Sequence, residues 1–182
     1  MIAIAQITPG NIATFKEVRL RALRDAPSAF GSTYATESAM SDVEWMQRAV
    51  RWNGERGIGF LAIDDGIACG IVGSMLDEDD ATRATLVSMW TAPTHRRRGI
   101  ARLLVNEVVG WARAREVAAI RLMVTSSNAA ARSFYEQLGF ACTGRTEPYP
   151  NDAALIEWEM MRRLSPHGEE RTRPKRRSWP LR

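Results

Sequence analysis

The chain has 182 residues, is 45% hydrophobic and 25% charged, and carries a formal net charge of +4. That length suits one domain with a core of useful size, and the charge fraction is ordinary for a globular protein. Two cysteines and two histidines exclude a disulfide framework and a cysteine-rich zinc site, and no charged leader or apolar run of ~18 residues points to export or a membrane span.

Residues 1–8 are apolar and β-branched enough for a first strand. Thr8-Pro9-Gly10-Asn11 offers a turn and a helix start. Ile12, Phe15, Val18, Leu20 and Leu23 then share one face of a helix ending near Asp25-Ala26-Pro27. Residues 27–40 read as loop or weak helix. Ser41-Asp42-Val43-Glu44 is a capping box, so a second helix runs through Trp45, Met46 and Val50.

From residue 57 the period changes to that of a sheet. Residues 59–63 and 67–75, joined by Asp64-Asp65-Gly66, predict a β-hairpin. An acidic loop, Asp77 to Asp80, precedes a third sheet segment over 82–91, which Pro93 ends. A helix follows over 98–115 with Ile100, Leu103, Leu104, Val108 and Trp111 as its apolar stripe. Residues 119–125 form a nearly continuous apolar run, as in a strand covered on both faces. Residues 128–138 are helical, with Gly139 suited to the C′ position. Two strands follow, 140–146 and 155–163, separated by a loop containing Pro148, Pro150, Asn151 and Asp152.

The order is βααβββαβαββ, an α+β (mixed α/β) domain over 1–164 around a largely antiparallel sheet. Residues 165–182 hold six Arg or Lys and two Glu, while 1–164 is balanced at 19 of each sign, so the basic character belongs to the tail. The tail reads as a disordered, solvated appendage, with contact to a polyanion as the alternative.

The stretch from Met89 to Ala101 holds the most chemistry. A strand ends at Pro93, a helix begins near Arg98, and a basic loop with Gly99 lies between. Helix N-termini present unpaired N–H groups and partial positive charge. Gly99 lacks a Cβ and Ala101 is small, so an anion could approach the backbone. Exposed arginines at an ordinary helix N-terminus are the alternative on these residues alone.

Arg96-x-x-Gly99-x-Ala101 resembles the (Gln/Arg)-x-x-Gly-x-(Gly/Ala) signature of GNAT N-acetyltransferases, in the strand-to-helix context that the signature requires. Downstream, Asn128-x-x-Ala131-x-x-Phe134-Tyr135-Glu136-x-x-Gly139-Phe140 is similar to a second element of that family. The resemblance covers about 1–164 and implies a GNAT-like fold with acetyl-CoA as cosubstrate. It implies that the strand before the signature splays from its neighbour, so that the backbone of Met89, Trp90 and Thr91 bonds the pantetheine arm. It implies that the amides of Arg96, Arg97, Arg98, Gly99, Ile100, Ala101 and Arg102 hold the pyrophosphate. Asn128 would line the cofactor arm, whether or not it also caps its helix. Tyr135 would protonate the departing thiolate; its alternative is a core aromatic beside Phe134 and Leu138. Trp90 and Trp111 read as packing residues, and Cys69 and Cys142 as small core residues.

The implied reaction is direct attack of a neutral amine on the thioester carbonyl in a ternary complex, with strand amides facing the oxyanion. Many relatives carry a glutamate near position 85 or 86, whereas Thr85-Leu86-Val87-Ser88 has no carboxylate. Glu157 and Glu159 share a face of the final strand, either toward the cleft or on the exposed face of an edge strand. Glu37 and a water chain are further candidates, and no base is assigned. Phe30, Tyr34, Glu37 and Glu157 are candidate acceptor-site residues, with Trp45 and the 147–152 loop nearby. The acceptor is a small-molecule or peptide amine. A homodimer fits the family's habit, no membrane or nucleic-acid partner is expected, and the setting is cytoplasmic. The remaining alternatives are a non-catalytic acyl-CoA sensor and a nucleic-acid-associated protein acting through its tail.

Overall fold

The computed structural model describes residues 1–52 and 55–164; the basic tail lies outside the described residues. The elements are β1 (Ile2–Gln6), α1 (Ile12–Asp25), α2 (Tyr34–Ser38), α3 (Asp42–Arg51), β2 (Gly57–Asp64), β3 (Ile67–Leu76), β4 (Arg83–Thr91), α4 (Ile100–Ala114), β5 (Ala119–Thr125), α5 (Ala129–Gln137), β6 (Ala141–Tyr149) and β7 (Asp152–Arg163). The seven strands form one sheet in the order β1-β2-β3-β4-β5-β7-β6. Every adjacent pair is antiparallel except β4 and β5, which are linked through α4.

Helices cover both faces of this sheet. On one face, Phe15 of α1 packs against Trp45 and Trp52 at ring-centroid distances of 5.4 and 5.0 Å. A Cβ placed on Gly59 or Gly73 would fall 2.4 or 2.9 Å from the Trp52 ring. These glycines are what lets the indole lie on the strands. On the other face, Leu104 of α4 approaches Gly70 closely enough that a Cβ there would lie 3.0 Å away.

Most predicted elements appear, with four corrections. The 27–40 region contains α2, so three helices rather than two follow β1; Thr33 caps α2 by accepting from the Thr36 amide at 3.2 Å. Leu103 is 43% exposed. The buried arc of α4 turns the other way, through Val105, Val109 and Ala112, because α4 must fill the sheet surface at β2 and β3. The predicted loop after residue 146 is shorter than expected: β6 and β7 continue to Tyr149 and Asp152 and close around Pro150-Asn151. Cys142 is exposed, unlike buried Cys69, because β6 is an edge strand whose residues are exposed up to Pro148.

The capping box at Ser41 forms as the sequence indicates. The Glu44 amide donates to Ser41 Oγ at 3.3 Å, and the Ser41 amide donates to Glu44 Oε2 at 2.7 Å.

Candidate active site

β4 and β5 pair only at Arg83–Thr85 with Ala119–Arg121. Beyond that point the strands part, and a cleft of about 380 Å³ opens between Leu86–Met89 and Leu122–Thr125. A bulge re-aims β4 here. Between Trp90↔Ile71 and Val87↔Gly73, β4 advances three residues while β3 advances two. Ser88 sits in the bulge with φ +59°, a conformation non-glycine residues seldom adopt. Its hydroxyl lies 3.3 Å from Arg19 Nη1, which donates to it.

Of the three strand residues expected at the cofactor arm, Met89 lines the cleft. Trp90 and Thr91 turn their side chains into the core, and the indole N–H of Trp90 donates to Asp25 at 2.8 Å. Only their backbone can meet a ligand. β4 has no strand partner on its β5 side over this stretch, so an extended polar arm could bond to it.

The signature loop is a short turn at Pro93–His95 followed by Arg97 at φ +61° and Gly99 at φ +80°. Gly99 is the N-cap of α4 and makes no side-chain capping bond. A Cβ built on it meets nothing within 4 Å, so the space over the helix terminus is open. The first intrahelical bond is Leu103 N–H to Gly99 C=O at 3.1 Å, which leaves the Ile100, Ala101 and Arg102 amides facing outward. No acidic residue stands in the first turn.

The arginines of this loop divide in two. Arg96 pairs with Asp25 and donates to the Thr91 carbonyl at 3.1 Å, and Arg98 pairs with Asp64 at 2.8 Å. These two fasten the loop to its neighbours. Arg97 and Arg102 are exposed and make no ion pair with a described residue. The arrangement fits a pyrophosphate: open amides, a Cβ-free turn, two free cations and the positive end of α4.

Asn128 borders the cleft and also caps α5, accepting from the Ala131 amide at 3.1 Å. Tyr135 lines the cleft as well, although it is 6% exposed. Its hydroxyl makes no hydrogen bond with a described residue, and burial pushes its pKa above the ordinary phenol value. Its ring packs against Phe134 and Phe140, at centroid distances of 5.2 and 5.6 Å.

The carboxylate candidates separate clearly. β7 is not an edge strand, since β5 and β6 flank it, so Glu157 and Glu159 do not lie on an exposed edge. Glu157 lines the cleft; burial, helped by the facing Glu147, raises its pKa. Glu159 is buried away from the cleft, accepting from Thr143 Oγ1 at 2.8 Å and lying 3.5 Å from Arg121. Glu37 is 1% exposed and does not line the cleft. It takes two bonds from Arg19, at 2.9 and 2.7 Å, and pairs with Arg48 at 2.6 Å. Burial opposes ionisation of Glu37, but the two guanidiniums outweigh it and hold the carboxyl below its ordinary value. A group committed in this way is a strut, not a base.

Phe30 lines the cleft with the Arg19 guanidinium 4.7 Å from its ring centroid. Tyr34 does not; it stacks under Arg24 at 4.1 Å and bonds to it through its hydroxyl. Trp45 belongs to the core. The β6–β7 tip closes over the 27–30 segment: Tyr149 Oη donates to the Phe30 carbonyl at 2.8 Å, and Asn151 Nδ2 does so at 2.9 Å. Sequence reasoning missed Arg19, Arg48, Arg51 and Ser88 as cleft residues. The three arginines sit among many on amphipathic helices, and nothing local marks a serine for a bulge.

Residues 20–140 match the acetyltransferase (GNAT) family. The chain is 34% identical over 130 residues to the [ribosomal protein bS18]-alanine N-acetyltransferase of Escherichia coli K12, covering 69% of this chain and 82% of that protein. Its fold is similar to that of a GNAT-family acetyltransferase from Streptococcus pneumoniae, with a TM-score of 0.77 at 20% identity over 91% of this chain and 100% of the other. A similar likeness, TM-score 0.68 at 17% identity over 90% of this chain and 99% of the other, holds for the PaiA N-acetyltransferase of Thermoplasma acidophilum, solved with coenzyme A. The chain therefore belongs to the GNAT acetyltransferase family and is an acetyl-CoA-dependent N-acetyltransferase.

Proposed function

We propose that this enzyme passes the acetyl group of acetyl-CoA directly to a primary amine held in the β4–β5 cleft, with Tyr135 as acid and Glu157 as base. One observation carries the reading: the opening between the splayed strands is lined both by a tyrosine with no described hydrogen-bond partner and by a carboxylate of raised proton affinity. The amides of 96–102 would hold the pyrophosphate over Gly99. The free edge of β4 at Met89, Trp90 and Thr91 would bond the pantetheine arm, and Asn128 would border it.

When bound, acetyl-CoA supplies a thioester whose carbonyl carbon an amine can attack. Glu157 takes a proton from the acceptor nitrogen, and its raised affinity brings it nearer the range where a carboxylate works as a base. Tyr135 stays protonated because it is buried, and gives its proton to the sulfur as the N–C bond forms and the C–S bond breaks. Solvent resets both groups.

The acceptor is a small amine rather than a protein terminus, because the β6–β7 tip is bonded down over the 27–30 segment. The Escherichia coli relative, named for a ribosomal protein substrate, supports the opposite choice. No helix among the described residues is long and apolar enough to cross a membrane; with acetyl-CoA as cosubstrate, we place the enzyme in the cytoplasm. Neither a turnover-free sensor nor a tail-driven nucleic-acid role draws support from the family match.

The test is acetyl-CoA binding by calorimetry, together with thiol release. Wild type should bind; Gly99→Glu should not. Gly99→Ala serves as the control for backbone strain at φ +80°. Tyr135→Phe should bind as wild type and lose about 10²- to 10⁴-fold in kcat, the range for a lost acid. A well-folded wild type that fails to bind acetyl-CoA overturns the reading.

A further inference from the structure

The cleft is charged in a way the transfer chemistry does not require. Its lining includes three guanidiniums, Arg19, Arg48 and Arg51, and one carboxylate, Glu157. Arg19 is spoken for, since it holds Glu37 through Nε and Nη2 and aims Nη1 at Ser88. Arg48 shares the same buried carboxylate at 2.6 Å, contacts Met40 Sδ at 3.8 Å and lies 5.7 Å from the Trp45 ring centroid. One negative charge set against two guanidiniums leaves a positive charge at the cleft wall. Arg51, one helical turn beyond Arg48 on α3, adds a second and has no described ion-pair partner.

Apolar side chains, Phe30, Met75, Leu86, Val87, Leu122 and Val124, line the same space alongside polar ones such as Thr85 and Thr125. A net positive charge at the wall of a partly apolar cleft favours a bound anion. An acceptor whose only charge is an ammonium would meet repulsion there. A planar guanidinium fork matches a carboxylate in two parallel bonds.

Building on the reading above, we propose that the natural acceptor is a small amine that carries its own carboxylate, an amino acid or a short derivative with a free acid group. Its carboxylate lies against Arg48 and Arg51 while its amine faces Glu157 and Tyr135. The transfer keeps its balance. The nitrogen gains the acetyl carbon and loses one proton to Glu157, and the sulfur loses that carbon and gains the Tyr135 proton. The carboxylate remains an ion-paired handle throughout, so it governs binding and orientation rather than bond making.

The test offers the full-length enzyme acetyl-CoA with the free amino acids and, in parallel, their carboxamides, and reads coenzyme A thiol release. Each pair presents the same side chain and amine. The amine of the carboxamide is the less basic and is more often unprotonated at neutral pH, so intrinsic reactivity favours the amides. We expect at least one free acid to be turned over with kcat/KM about tenfold or more above its amide, the scale of one hydrogen bond to a charged group. In Arg51→Gln that ratio should shrink by about tenfold through the acid's KM, with acetyl-CoA binding as in wild type. Arg48→Gln should shrink it further.

Amides that serve as well as the acids overturn the proposal. So does an acid preference that Arg51→Gln and Arg48→Gln leave intact, and so does a change in acetyl-CoA affinity without a change in the ratio, which would give these arginines to the cosubstrate. Failure of every free amino acid in an enzyme that still binds acetyl-CoA removes the acceptor assignment alone. Failure to bind acetyl-CoA removes the underlying reading as well.

Discussion

Glu157 and Glu159 illustrate how much one strand position decides. They lie two residues apart on the same face of β7, yet one borders the cleft and the other is locked to Thr143 and Arg121. Burial, then the neighbouring Glu147 charge, raises the Glu157 pKa. As a base, Glu157 must be ionised, so kcat/KM should climb with pH through a value above the ordinary glutamate range of about 4.3. Glu157→Gln should abolish that limb and lower kcat by about 10²-fold or more, measured as a pH–rate profile. The sign for stability runs the other way. An acid whose folded value is raised subtracts stability once pH exceeds it, so Glu157→Gln should be at least as stable as wild type at pH 7. A variant with lowered activity and an unchanged acid limb would remove Glu157 from the chemistry.

At the scale of the element, β4 is the informative strand. Its composition reads as an ordinary sheet segment ending at Pro93, and its ends were legible within one residue. Its bulge was not, because nothing about Ser88 favours φ +59°; the pairing with β3 on one side and the parting from β5 on the other impose it. Strain held by surrounding structure carries a stability penalty of about 1–3 kcal/mol, and a β-branched side chain tolerates this region worst. Ser88→Val should therefore destabilise by about 1–3 kcal/mol in urea unfolding, whereas Ser88→Gly should stay within about 1 kcal/mol of wild type. Equal stability in both variants would mean that Ser88 is not held in that conformation. The signature loop behaved differently. Gly99 and the start of α4 were legible because a strand end, a glycine and a helix follow one another within a few residues.

Across the whole molecule, Glu37 joins three helices, one of which the sequence reading left as loop or weak helix: Arg19 comes from α1, Glu37 from α2 and Arg48 from α3. Arg19 and Arg48 line the cleft, so the group sets both the stability of the helical cover and the spare charge at Arg48. Removing one member of a buried pair leaves an uncompensated charge, and Glu37→Gln should lose about 3–5 kcal/mol at pH 7. The Glu37 pKa is lowered, so its stabilising contribution is complete above the unfolded value of about 4.3 and fades as pH falls through the folded one. The difference between wild type and Glu37→Gln in denaturant midpoint should therefore narrow below pH 4. A constant difference down to that pH would argue that packing, not charge, accounts for the loss.

What the sequence by itself determined were the features encoded in short segments. The capping box at Ser41, the hairpin about Asp65-Gly66, the Gly99 turn, the Asn128 cap and the two motifs that mark the family each depend on residues within a few positions of one another. Tertiary structure alone decided the rest. It placed β7 between β5 and β6 and so took Glu157 off an edge, made Glu37 a strut, turned Trp90 and Thr91 inward, and brought Arg48 and Arg51 to the cleft. These outcomes depend on which strands pair and which helices lie over them. Pairing is settled by burial and hydrogen bonding between segments tens of residues apart, where local propensity and periodicity carry no information.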